Sequence, residues 1–73
     1  MNAPELMATI SVNGVARALP RDGSIADLVR ELTLEGKRIA VEVNGEIVPR
    51  SRYADTRLVA GDRVEIVGAV GGG

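Results

Sequence analysis

Apolar and polar residues begin to alternate at Ala8–Val12, where Ile10 and Val12 are separated by polar Thr9 and Ser11, the pattern of a strand. Val15–Leu19 reads as a second strand. Asn13-Gly14 lies between the two runs, and both residue types tolerate positive φ, so a tight hairpin is predicted. Pro20 to Gly23 is a loop. The period then changes: Ile25, Leu28, Val29 and Leu32 fall at i, i+3, i+4 and i+7, one stripe of a two-turn helix over Ile25–Leu32. Its opposite face carries Asp27, Arg30 and Glu31. Ser24 is the expected N-cap, with Asp27 in the capping-box position, and Gly36 is the expected left-handed stop.

Alternation returns in Ile39, Val41 and Val43, a third strand, followed by a second tight turn at Asn44-Gly45. Glu46–Val48 is a short fourth strand stopped by Pro49. Ser51 to Val59 has no clean period and is expected to be a loop with one helical turn. Gly61-Asp62 turns the chain into a last strand, Arg63–Val67, with Val64 and Ile66 inward. The order predicts an α+β fold, a small mixed sheet of four to five strands packed on one helix. The expected core is Ile10, Val12, Val15, Leu19, Ile25, Leu28, Val29, Leu32, Ile39, Val41, Val43, Val48, Leu58, Val64 and Ile66, with Tyr53 as a partly buried lid. Residues 1–6 are expected to be a disordered extension, 7–67 the folded domain and 68–73 a flexible glycine-rich tail.

Composition narrows the chemistry. A chain of 73 residues allows one domain, and with no Cys and no His it has neither a disulfide nor thiolate or imidazole metal ligands. Nine basic and ten acidic residues leave a net charge of −1, which argues against a general nucleic-acid binder. No apolar run approaches the roughly 20 residues of a membrane span, and Met1 to Met7 lack the regions of a secretory signal, so the cytoplasm is the expected compartment. Nucleophile–base pairs are missing, and no glycine-rich turn joins a strand to a helix to hold phosphate. Glu42, Glu46 and Glu65 read as a solvated sheet face. The chain is not expected to be an enzyme.

The end of the sequence, Gly71-Gly72-Gly73, admits two readings. One is a frayed terminus. The other is geometric: a segment without β-carbons threads a channel that side chains would block, and Gly68 to Gly73 extended reaches about 20 Å. A terminal carboxylate delivered in this way becomes reactive once a partner adenylates it with ATP, and a sulfur nucleophile then yields an acyl disulfide or a thiocarboxylate.

Ser11-Val12-Asn13-Gly14, the helix Ile25–Leu32, the run from Ala40 to Arg50, the run from Gly61 to Val67 and the ending Ala69-Val70-Gly71-Gly72-Gly73 together resemble the ThiS family of sulfur carriers, within the ubiquitin-like β-grasp group that also holds the MoaD proteins. The resemblance implies a β-grasp fold and a carrier that binds no cofactor itself. It implies that Gly73 accepts AMP and then sulfur, with Gly72 as its paired glycine. The implied partners are an E1-like adenylyltransferase of the ThiF type that uses ATP, a sulfur donor such as a cysteine desulfurase, and a thiazole synthase of the ThiG type. Many members end in two glycines and this chain in three, so Gly71 reads as a spacer; residues before Met7 are extra.

The free carrier is expected to be a monomer. Arg50, Arg52 and Arg57 cluster between the last two strands, as a solvated loop or as a dock for an acidic partner surface. Val67 and Val70 are candidates to anchor the tail in a partner by strand addition. The small subunit of molybdopterin synthase and a lysine-conjugated protein modifier would use the same carboxylate. A TGS-like binding module shares the fold, but such modules are usually embedded in larger enzymes, whereas this chain is expected to be complete. A distant resemblance to swapped-hairpin DNA-binding repressors conflicts with the acidic balance.

Overall fold

A computed structural model describes residues 8–68. Five strands and one helix run in the order β1 (Thr9–Val12), β2 (Val15–Ala18), α1 (Ile25–Glu31), β3 (Ile39–Val43), β4 (Glu46–Val48) and β5 (Arg63–Gly68), with a 3-10 turn at Arg50–Arg52 before β5. They form one mixed sheet in the order β2-β1-β5-β3-β4. Only the β1–β5 pairing is parallel; β1–β2, β3–β4 and β3–β5 are antiparallel. This is the expected β-grasp arrangement, with five strands. The last strand in sequence is therefore the middle strand of the sheet. Gly68, expected to begin the tail, is instead the last residue of β5 and pairs with Ile39.

Both Asn-Gly hairpins form with positive φ at each central residue, 52° and 86° at Asn13-Gly14 and 53° and 89° at Asn44-Gly45. That backbone twist matches the twist of the flanking strands. Ser24 caps α1 as its sequence position demands, its hydroxyl accepting from the Asp27 N–H at 3.0 Å. Asp27 does not close the expected box. Its carboxylate accepts instead from the Asp22 N–H at 2.9 Å and pairs with Arg30 at 3.1 Å, so it is buried rather than on the solvent face.

The helix also stops earlier than its apolar stripe. Leu32 is the C-cap and Thr33 takes the left-handed position at φ 62°. The Leu34 N–H donates to Val29 O at 2.9 Å and the Thr33 N–H to Arg30 O at 3.0 Å, the paired bonds of a Schellman ending. Gly36, the expected stop, occupies a left-handed position in the next turn.

Ile25, Leu28, Val41 and Val64 are fully buried, joined in the core by Ile10, Val12, Val29, Tyr53 and Leu58. Leu19, Leu32, Ile39, Val43, Val48 and Ile66 pack against this core at its margin. Val15 does not belong to it and is 66% exposed. The reason is coverage: the buried residues of α1 share one core cluster with residues of β1, β3 and β5, and edge strand β2 contributes no buried residue. Tyr53 is buried outright rather than a lid.

Candidate functional site

The turns on either side of β5 hold it in place. On one side the Asn13 N–H donates to Val64 O at 2.8 Å, and on the other the Asn44 N–H donates to Arg63 O at 2.8 Å. The two side chains add a second set of bonds. Asn13 Nδ2 donates to Ile66 O at 3.0 Å while Asn13 Oδ1 accepts from the Ile66 N–H at 2.7 Å. Asn44 Oδ1 accepts from the Arg63 N–H at 2.9 Å, and Asn44 Nδ2 donates to Asp62 Oδ1 at 3.0 Å. Asp62 in turn accepts from the Val59 N–H at 2.9 Å and, through its carbonyl, from the Ser11 N–H at 3.0 Å. The strand so held has Gly68 as its last described residue, and the glycine-rich ending follows in the sequence.

Val67 is exposed on this strand, on the sheet face opposite Val64 and Ile66, with Ala40 beside it on β3. The same outer face carries Glu42 opposite Glu65 and, on β4, exposed Ile47 opposite Glu42. Glu46 lies opposite Val43 and so belongs to the other side of the sheet, not with Glu42 and Glu65 as its spacing suggested.

The three arginines do not form one cluster. Residues 50–58 run along α1 and supply its start with acceptors: the Ile25 N–H donates to Thr56 O at 3.0 Å and the Ala26 N–H to Tyr53 O at 3.1 Å. These carbonyls satisfy donors that a helix start otherwise leaves open. Arg50 reaches past the far end of the helix and donates to Lys37 O at 3.1 Å. Arg57 donates to Asp22 O beside the helix start. Arg52 is exposed between them. All three therefore lie on the helix side of the domain, away from the face that carries Val67. Val70, Gly71, Gly72 and Gly73 lie outside the described residues.

Two shallow cavities adjoin this framework. One, of about 260 Å³, is lined by Val29, Leu34, Ile39, Arg50 and Tyr53 among others, and the second, of about 330 Å³, lies beside Gly68 between Asn13, Leu32, Leu34 and Ile66. Neither contains a carboxylate pair. Among the described residues no group of acidic side chains is placed to hold a metal ion. The ionisation of Asp22 is moved by its surroundings. Its carboxylate accepts from the Ser24 hydroxyl at 2.7 Å and the Ser24 N–H at 2.9 Å, and with Arg57 and Arg30 nearby its pKa is held below the ordinary 3.8. That network consolidates the helix start and has no reacting partner. The described body ends at Gly68, on the middle strand of the sheet.

Sequence reasoning placed the turns correctly but missed the bonds that the two asparagine side chains make to β5 and its preceding turn. The available signal was the choice of Asn at both first turn positions, where Asp or Gly meets the backbone requirement equally well.

Comparison with known proteins gives this fold a family. The model of the ThiS family matches residues 10–73, through the terminal glycines. The sulfur carrier protein ThiS of Bacillus subtilis is 45% identical over 51 residues, 70% of this chain and 77% of that protein. A thiazole synthase of Paramagnetospirillum magneticum is 40% identical over 62 residues, 85% of this chain, although the chain spans only 19% of that protein's length. The crystal structure of the thiamine biosynthesis protein ThiS from Geobacter metallireducens superposes with a TM-score of 0.73 at 28% identity, covering 89% of this chain and 99% of that one. A shared fold, a shared sequence and a match that includes the glycine ending lead to one conclusion: the chain belongs to the ThiS family, the sulfur carriers of thiamine biosynthesis.

Proposed function

We propose that the carboxylate of Gly73 is the group that carries sulfur, activated and loaded in the active sites of partner proteins. The observation behind this reading is the position of β5: the middle strand of the sheet, tied on both edges, ends one residue before the segment that finishes in Gly71-Gly72-Gly73. Five residues beyond Gly68 reach at most about 18 Å when extended. That is enough to place the last carbonyl inside a partner while the domain stays at the entrance. Gly71 and Gly72 serve passage, because neither has a β-carbon to meet the wall of a narrow channel.

The acyl group dictates the chemistry. A carboxylate oxygen of Gly73 attacks the α-phosphorus of ATP held by an E1-like adenylyltransferase of the ThiF type; pyrophosphate leaves and an acyl adenylate remains. Sulfide or a persulfide, supplied by a donor such as a cysteine desulfurase, then attacks the acyl carbon and AMP leaves. Sulfide gives the thiocarboxylate directly. A persulfide gives an acyl disulfide, which a thiol reduces to the thiocarboxylate. The partner binds the nucleotide, and the carrier's contribution is docking and placement of one carbonyl.

The recipient is a thiazole synthase of the ThiG type. Support comes from the Paramagnetospirillum thiazole synthase, whose own polypeptide includes a 62-residue stretch similar to this chain. The reading takes the cytoplasm as the carrier's compartment; among the described residues no helix is long and apolar enough to cross a membrane. Incubation with a ThiG-type synthase tests the assignment. Loss of sulfur from the loaded carrier with formation of the thiazole supports it, and turnover by a molybdopterin synthase in its place overturns it.

A further inference from the structure

Strand β1 ends at Val12, but β5 continues for four residues past its last partner there, Val64. Backbone groups on that side of β5 would ordinarily be left to water. Ile66 is the exception, because the Asn13 carboxamide takes the place of a strand residue. Its oxygen receives the Ile66 N–H at 2.7 Å and its NH2 reaches the Ile66 carbonyl at 3.0 Å, the two-bond exchange that a residue of an antiparallel neighbour would make. Only one orientation of the amide satisfies both bonds, and a carboxylate or a hydrogen in its place cannot make both. The turn itself does not require this side chain. Gly-Gly and Asp-Gly fill the same turn, with the same positive φ.

We infer that Asn13 is a positioning residue for sulfur transfer: its carboxamide holds β5 extended to Gly68 and so fixes the point and direction from which the glycine ending departs. The inference rests on the proposed role of Gly73. On the β3 side the ladder already reaches Gly68 through its pairing with Ile39. Without Asn13, β5 beyond Val64 is tied along one edge only, and its end swings about that edge. Swinging leaves Val67 laddered to Ala40 of β3, so the outer face is still presented for docking. It lowers the fraction of docked complexes whose terminal carboxylate sits at the reacting phosphorus. The consequence is therefore in kcat rather than in KM.

Asn44 provides the internal comparison. It occupies the matching position of the other Asn-Gly turn and also bonds β5 through its side chain, but at Arg63, the end of the strand remote from the exit. Asn13→Gly, Asn13→Asp and Asn44→Gly all keep favourable hairpin turns. Three measurements compare them: urea unfolding, amide hydrogen exchange at Ile66, and steady-state adenylation of the full chain by an E1-like adenylyltransferase with ATP.

Asn13→Gly is expected to lower kcat about fivefold with KM unchanged and to speed exchange at Ile66 about tenfold. Asn13→Asp, which keeps the acceptor and loses the donor, falls between it and the wild type. Asn44→Gly is expected to lose comparable stability and to leave kcat unchanged. An unaltered kcat in Asn13→Gly, or an equal fall in Asn44→Gly, overturns the inference. If the wild-type chain is not adenylated at all, the reading of Gly73 fails, while Ile66 exchange in Asn13→Gly still decides whether the carboxamide holds the strand.

Discussion

Thr33 stands at φ 62°, a backbone conformation that a β-branched side chain adopts only under strain. It does so because the Schellman ending needs a left-handed residue there, and Leu34, the next residue, packs against the core. Replacing it by glycine removes about 1–2 kcal/mol of left-handed strain and adds about 0.5–1 kcal/mol of unfolded-state entropy. Thr33→Gly should therefore raise stability by up to about 1.5 kcal/mol, read as a higher urea midpoint with an unchanged slope. Asp22 gives a prediction in pH. Its folded pKa lies below the ordinary 3.8, so its stabilising contribution is present above that value and is lost as pH falls through the folded one. The stability gap between the wild type and Asp22→Asn should accordingly shrink as unfolding is tracked downward from neutral pH. Sequence showed the Ser24 cap, because Ser before an apolar stripe has one common use. It hid Thr33 and the burial of Asp27, because Gly36 looked like the better stop and the helical period set Asp27 opposite the stripe.

Among the elements, β5 and the short helix organise the domain, one as the middle strand and the other as a source of core residues. Leu28 is fully buried in the core cluster that also holds Val64, and Leu28→Ala should cost about 2–5 kcal/mol. Val15→Ala, on the uncovered edge strand, should change stability by no more than about 0.5 kcal/mol. Urea titration of the two variants measures the contrast. Alternation alone treats Val15 and Val12 alike, since it reports which side of a strand is apolar and not how far the helix extends across the sheet. The five strands, both Asn-Gly hairpins and the helix were legible for the opposite reason: each is specified by residues within a few positions of one another. The strand order was less so, because pairing of β1 with β5 joins Ser11 to Arg63 and Val12 to Val64, residues far apart in the chain.

For the whole molecule, the decisive matter is which side carries which residues. Arg50 and Arg57 are tied to loops at the two ends of the helix, whereas Val67 lies on the outer sheet face next to the exit at Gly68. If docking uses the surface nearest the departing chain, Val67→Asp should raise KM for loading several-fold, and Arg52→Glu, on the helix side, should change it less. Sequence grouped these residues because they are close in number, and only the fold separates them. The glycine ending is legible in the sequence as a segment without side chains, and it lies outside the described residues.

Whether sulfur rides on the acyl carbon of Gly73 is decided by intact-mass measurement. The full chain is incubated with ATP, an E1-like adenylyltransferase and a sulfur source, beside a copy amidated at Gly73. The expected outcome is exchange of one oxygen for one sulfur at the terminus of the first and no change in the second. Sulfur gained by the amidated chain, or a wild-type mass that stays the same, would show that Gly73 is not the carrier.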